Sequence, residues 1–284
     1  MANESSPLTS LQQYRAAADV LAKALEQDPR AVDLTHAIER IVRFEVEHQI
    51  PVAERFTSRI AKRAPARRMR TAIIADIHGN QQGLLAALAD IERQGCDRIL
   101  CLGDLVDGGP DNEAVIQTIR SRAIPSVRGN HDEENDLALE AASRTFLLGL
   151  PEAIVEDDVL YIHISPRRTK RKINHAVEAW NVFDDTAFRL MFVGHVHAPL
   201  IFGMRSSAFG EAEKHSFEYN RPFPLAADDR YIVSVGAIGY GRDAVGKVRY
   251  GIYDREADTI ELRAIDGPVL PFDQALAGRA SEAS

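Results

Sequence analysis

Carboxylates, imidazoles and one carboxamide recur at the ends of apolar runs in this chain, at spacings that suit metal chemistry. Asp76-Ile77-His78-Gly79-Asn80 follows the apolar run 71–75, and Gly103-Asp104-Leu105-Val106-Asp107 follows 98–102. Gly129-Asn130-His131-Asp132 follows the short run 124–127. His163 closes another apolar run, and Gly194-His195-Val196-His197 follows 189–193. Residues two apart on an extended backbone face the same side. Asp76 with His78, and His195 with His197, are therefore each expected to face one cation, and Gly79 lets the chain turn away at once. Oxygen and imidazole donors of this kind suit Mn²⁺, Fe or Zn²⁺. Neither cysteine, Cys96 or Cys101, joins the set, which excludes a thiolate-held structural zinc.

For these residues to converge, the apolar runs must be neighbouring strands. Helical patterns separate them: 81–94 carries Leu84, Leu88 and Ile91 at helical spacing, and 111–122 and 132–148 are also expected to be helices. Alternating strands and helices predict an α/β architecture. The later chain is richer in strands, expected at 159–164, 189–193, 199–202, 230–235, 247–253 and 259–264. Two sheets with helices outside fit this α/β (α+β) mixture. Residues 1–68 read instead as an all-helical extension. Apolar stripes there (Leu8, Leu11, Tyr14, Ala18, Leu21, Leu25, then Leu34, Ile38, Ile41, Phe44) break at Asp28-Pro29 and Ile50-Pro51 and end in a basic linker at 62–68. The expected division is a helical extension at 1–68, a catalytic domain at 69–270 and a tail at 271–284.

The 284 residues are 45% hydrophobic and 27% charged, a globular balance that excludes wholesale disorder. No run approaches the roughly 18 apolar residues of a membrane helix. The first twenty residues lack a basic start and an apolar stretch, so no secretory signal is expected, and with two core thiols the expected location is cytoplasmic. Net charge is −8. Residues 1–70 hold 12 basic against 9 acidic side chains, and the remainder holds 22 against 33. An acidic body of this kind does not coat nucleic acid. To attract an anionic substrate it needs local positive charge, and bound metal is one source.

Together the five segments resemble the blocks of the calcineurin-like metallophosphoesterases: D-x-H, G-D-x-x-D, G-N-H-D/E, a lone H, and G-H-x-H, in that order between residues 76 and 197. The runs at 108–116 and 235–243 look like those of the small bacterial and archaeal phosphodiesterases of that superfamily. The resemblance implies two mixed β-sheets packed as a sandwich flanked by helices, with the site at the strand ends. It implies two divalent ions, Mn²⁺ foremost, with Fe, Zn or Ni as alternatives. Asp76, His78 and His197 would hold one ion, Asn130, His163 and His195 the other, and Asp104 both. Two such ions, less the charges of Asp76, Asp104 and a shared hydroxide, leave about +1 to attract a phosphate. That hydroxide would attack phosphorus. His131, one residue beyond Asn130 and facing away from it, would meet the leaving-group oxygen as general acid, oriented by Asp107. Asn80 and Arg242 are placed with the substrate.

Where serine/threonine phosphoprotein phosphatases have an arginine after the second block, this chain has Gly108, and the third block ends in Asp132 rather than Glu. Protein phosphatase activity is thereby disfavoured. Ile164 replaces a usual glycine after the fourth-block histidine, and Ser234-Val235 a usual Asn-Pro. Residues 167–172 hold five basic side chains in six, either a solvated loop or a phosphate clamp. Arg242-Asp243, in a Gly-rich loop, either contacts a phosphate or closes an ion-paired turn. The expected activity is hydrolysis of a phosphodiester in a small or nucleotide-like substrate. The alternatives are a phosphomonoesterase, a dinucleoside-polyphosphate hydrolase, or a non-catalytic scaffold of the same fold that binds through the N-terminal helices; whichever holds, those helices are a candidate homodimer contact. The scaffold ranks lower because every block residue is kept.

Overall fold

The computed structural model describes residues 69–242 and 246–271. The expected N-terminal helices, the basic linker, Asp243 and all of the expected tail but Pro271 lie outside the described residues.

The chain runs β1 (Arg70–Ile74), α1 (Gln81–Arg93), β2 (Arg98–Cys101), α2 (Asn112–Ser121), α3 (Asn130–Glu133), α4 (Ala141–Leu148), β3 (Ala153–Glu156), β4 (Val159–Ile162), α5 (Ala176–Asp185), β5 (Leu190–Val193), β6 (Pro199–Gly203), β7 (Glu213–Lys214), β8 (Pro222–Pro224), β9 (Tyr231–Val235), β10 (Val248–Asp254) and β11 (Thr259–Ile265). One sheet has the order β2-β1-β10-β11-β8 and the other β3-β4-β5-β9-β6-β7. Both are mixed. β1 pairs β2 in parallel and β10 antiparallel; β4, β5 and β9 run parallel, with antiparallel β3 and β6 beside them.

The two-residue period of the strands decides the layers. Ile73 and Leu100 face inward and meet Tyr161, Phe192, Val233 and Val235 of the opposite sheet. Ala72, Ile74 and Cys101 face outward, under Leu84, Leu88 and Ile91 of α1 and Val115, Ile116 and Ile119 of α2. On the far side Ala179, Val182 and Phe183 of α5 cover Leu160, Met191 and Phe202. Central strands buried on both faces explain why their sequences read as continuous apolar runs. Each fully buried Leu, Ile or Phe here contributes about 1.5–3 kcal/mol.

Several expectations need correction. Residues 124–127 form no ladder, only a parallel bridge from Cys101 to Ser126, because Pro125 has no N–H to give a ladder. The expected helix over 132–148 is two helices. Asn135 ends the first: its side-chain amide donates to the His131 carbonyl at 2.9 Å, and its oxygen accepts the Leu137 N–H at 3.3 Å. Helix α5 and strands β3, β7 and β8 were not expected. β8 is an edge strand holding two prolines, a place sheets tolerate them. Among the described residues no helix is long and apolar enough to cross a membrane.

Candidate metal centre

The strand ends deliver the candidate residues to one end of the sandwich, by a different route from the one the spacing suggested. Asp76, His78, Asp104, Asp107, His195 and His197 are not extended. All six lie past their strands in the left-handed region, at φ between 51° and 70°. Such backbone costs roughly 1–2 kcal/mol per residue, and hydrogen bonds hold it. The N–H of Asp76 donates to the Gly103 carbonyl at 3.0 Å. Those of Ile77 and His78 donate to the Asp104 carbonyl at 2.7 and 3.0 Å. Asp132, buried in α3, accepts the N–H groups of Asp104, Leu105 and Gly129 at 2.9, 2.7 and 2.9 Å. It locks the second block to the third, a role that the block pattern alone did not reveal. Gly129 must be glycine, since a Cβ there would overlap the backbone nitrogen of Asp104.

Backbone carbonyls set the histidine tautomers. Nδ1 of His78 donates to the Asp107 carbonyl at 2.7 Å, Nδ1 of His163 to Leu102 at 2.7 Å, and Nδ1 of His197 to Tyr240 at 3.0 Å. A carbonyl only accepts, so the proton of each neutral ring sits on Nδ1 and the Nε2 lone pair faces the site. Nε2 of His78 and of His197 stand 3.2 Å apart, within 3.6 Å of Asp104 and 3.4 Å of Asp76 respectively. Nε2 of His163 stands 3.1 Å from both Asn130 Oδ1 and Asp104 Oδ2. Oδ2 of Asp76 and of Asp104 are buried without an aligned hydrogen bond. Lone pairs and orphaned carboxylate oxygens converging in a dry site suit a cation. The donors form two groups, Asp76, His78, Asp104 and His197, and Asp104, His163 and His195, with Asp104 in both. This donor set fits divalent metal ions.

The charges agree. Burial pushes the Asp76 carboxyl up to about 7, and Asp132 likewise. Burial also pushes Asp104 up, but the charges of His163, 3.1 Å away, and of His78 outweigh it and hold Asp104 well below the usual range. The reverse acts on His163: burial lowers it, and Asp104 and Asp76 lift it to about 9. Burial holds His195 down at about 3 and His197 at about 2, and lowers His78. Without metal, three neutral imidazoles and one imidazolium, that of His163, thus surround the two carboxylates, and a metal ion on Nε2 takes the place of the His163 proton.

His131 stands beside this cluster, its ring edge-on to that of His78 with 4.9 Å between centroids. Its N–H donates to Asp104 Oδ1 at 2.9 Å, and its Nδ1 meets Asp107 Oδ2 at 2.5 Å. The pairing of His131 with Asp107 is therefore present in the geometry. Asn80 does something other than expected. It caps α1, accepting the Gly83 N–H at 2.9 Å, and its amide donates to the carbonyls of Ile238 and Pro268 at 3.1 and 2.8 Å. Buried and bonded to backbone on both its oxygen and its nitrogen, Asn80 fastens the loop. Arg242 is exposed, with its N–H on the His197 carbonyl at 3.0 Å. Tyr240, unmarked by any spacing, packs its ring on His78 and His197 at 4.9 and 4.6 Å. Ile164 lines a narrow cleft with His163, Lys172 and His195. His215, outside the blocks, packs on Phe223 and Tyr231 away from the centre.

Residues 69–199 match the family model of the calcineurin-like phosphoesterases. An uncharacterized protein of Methanocaldococcus jannaschii is 28% identical over 226 residues, which cover 69% of this chain and 86% of that protein. The fold is similar to a metallophosphoesterase from Sphaerobacter thermophilus, with a TM-score of 0.65 and 26% identity over 74% of this chain and 98% of that one. A hypothetical protein from Pyrococcus horikoshii shares the fold at a TM-score of 0.52 and 16% identity, over 76% and 94%. The matched segment, just under half of the chain, holds all five blocks and the histidines and carboxylates that converge at the strand ends, and over that segment the chain carries the pattern of the calcineurin-like phosphoesterases, hydrolases of phosphate esters.

Proposed function

We propose that this protein is a two-metal phosphodiesterase acting on a small or nucleotide-like phosphate ester. The observation that supports it is the meeting of tautomer-fixed imidazole lone pairs with the two orphaned carboxylates, around a shared Asp104. Asp76, His78 and His197 would hold one ion and Asn130, His163 and His195 the other, with Asp104 serving both; Mn²⁺ is the first choice. When bound, such ions act as Lewis acids toward the phosphoryl oxygens and acidify the attacking water. The chain supplies the rest. Nδ1–H of His131 donates a hydrogen bond to the Asp107 carboxylate, so a second proton on Nε2 makes an imidazolium that Asp107 stabilises. That Nε2 proton passes to the leaving-group oxygen as the ester bond breaks. Asp107 is a positioning residue.

The diester preference is read from charge: Gly108 stands where the phosphoprotein phosphatases have an arginine, so that cation is not there to meet the second negative charge of a monoester. The test is hydrolysis of bis-p-nitrophenyl phosphate and p-nitrophenyl phosphate by chelated protein, before and after Mn²⁺ is returned. Diester turnover restored by metal, and exceeding monoester turnover, is the expected result. Protein that holds metal and cleaves neither probe would overturn the reading.

A further inference from the structure

A groove of about 360 Å³ opens between the start of α2 and the 137–139 segment, a volume within the roughly 300–1,000 Å³ of small-molecule sites. Its two walls are fixed to the two residues of the proton-donating pair, one to each. On one side Asn112 Oδ1 accepts the Asp107 N–H at 3.0 Å, and the Asp111 N–H donates to the carbonyl of Gly79, next to His78, at 3.1 Å. On the other, the Asn135 amide donates to the His131 carbonyl at 2.9 Å, and its oxygen accepts the Leu137 N–H at 3.3 Å. Glu113 ties wall to wall: its carboxylate accepts the Glu140 N–H and the Ser143 hydroxyl, both at 2.6 Å. The lining is mostly carbon, from Pro110, Ala114, Leu137, Ala138 and Leu139. Asn112 is spent on Asp107 and on the Gly109 carbonyl, the latter at 3.2 Å. Asp111 stands at the N-terminus of α2 without a side-chain cap bond, and it is exposed. No basic side chain lines the groove; Arg144 donates to the Leu137 carbonyl at 2.6 Å but is not part of the lining.

We infer that this groove receives the alcohol that leaves, and that this alcohol carries no negative charge. The inference rests on the phosphoesterase reading above, in which the His131 proton goes to the leaving-group oxygen. The group on that oxygen then lies on the side of His131 and Asp107, where the groove is fixed. An anion in the groove would give up hydration against carbon and a carboxylate, with no lining cation to receive it. An uncharged alcohol with an apolar body gains by the same burial. The substrate class is therefore a phosphodiester whose released side is neutral. A released nucleotide, as from a dinucleoside polyphosphate, is an anion and does not suit the groove.

Methyl p-nitrophenyl phosphate and its m-carboxy-p-nitrophenyl counterpart test this. They share the methyl phosphate, release phenols of similar acidity, and differ in the charge of the group that leaves. Steady-state kinetics are measured on the full-length protein in saturating Mn²⁺, with bound metal counted. The uncharged ester is expected to be favoured at least about tenfold in kcat/KM. Ala138→Lys puts a cation in an exposed part of the lining. It should raise kcat/KM on the carboxylated ester about tenfold and change the uncharged one less than about threefold. Ala208→Lys, exposed but outside the groove, should leave the ratio as in wild type. Ala114→Phe fills the groove without charge and should lower kcat/KM on both esters at least about tenfold, through KM, with metal content unchanged. Equal use of the two esters by wild type, or the same response to Ala138→Lys and Ala208→Lys, overturns the inference, and both readings stand whether or not the Ala114→Phe protein folds. The two failures are distinct. Metal-loaded protein that cleaves neither ester overturns the phosphoesterase reading and the groove's role with it; cleavage of both esters alike counts against the groove alone.

Discussion

At the scale of single residues, His131 and Asp107 separate chemistry from metal binding. His131→Ala is expected to lower kcat by about 10²–10⁴-fold while elemental analysis finds wild-type metal content. Loss of metal in that variant would move His131 among the ligands. His163 gives a second test through pH. In the metal-free protein it is held up at about 9 against 6.5 for a free imidazole. A raised pKa stabilises the fold fully below pH 6.5, and that contribution is lost as pH rises toward 9. Thermal melts of chelated protein should therefore show Tm falling across that window. A cation on Nε2 takes the proton's place, so the metal-loaded protein should show no such fall. A chelated Tm that stays level or rises would contradict the assignment. The spacing of Asp76 with His78 and of His195 with His197 picked out side chains that the fold brings together, but for an incomplete reason. Left-handed backbone, not an extended strand, aims them, and no sequence pattern announces that conformation for Asp or His.

Elements set where those residues arrive. Asn80 holds α1 and the 238–268 segments by side-chain hydrogen bonds, so Asn80→Ala should cost about 1–3 kcal/mol in denaturant unfolding and leave KM unchanged. A KM increase without loss of stability would restore the substrate role expected from the sequence. Gly129→Ala should separate the second block from the third, through overlap with Asp104, and abolish metal binding. The central strands were legible because burial on both faces writes a continuous apolar run. The break between α3 and α4 was not, because Asn135 competes with the helix through its own side chain. β8 was hidden by the prolines that mark it as an edge.

Across the whole described body, the centre joins the two sheets. Asp76 and Asp104 leave the ends of β1 and β2, whereas His163 and His195 leave β4 and β5. Metal bound to both groups ties one sheet to the other, and only the folded chain assembles the site. Chelation should thus lower Tm by several degrees in one cooperative transition, and Mn²⁺ should restore it; an unchanged melt would argue against a structural load on the centre. The five blocks were legible because each carries its own chemistry in a few residues. Tyr240 was not singled out, and Lys172 was not told apart from the rest of its basic run, since their surroundings depend on which strand ends lie side by side. That adjacency is a property of topology.

The shared position of Asp104 is the centre's most direct test. Metal content per chain, measured by elemental analysis on wild type and on Asp104→Asn, with circular dichroism melts to verify folding, decides it. About two ions per chain in wild type, and loss of at least one from a folded Asp104→Asn protein, is the expected result. Wild-type protein that binds no ion, or an Asp104→Asn protein that keeps the full complement, would contradict the two-metal centre.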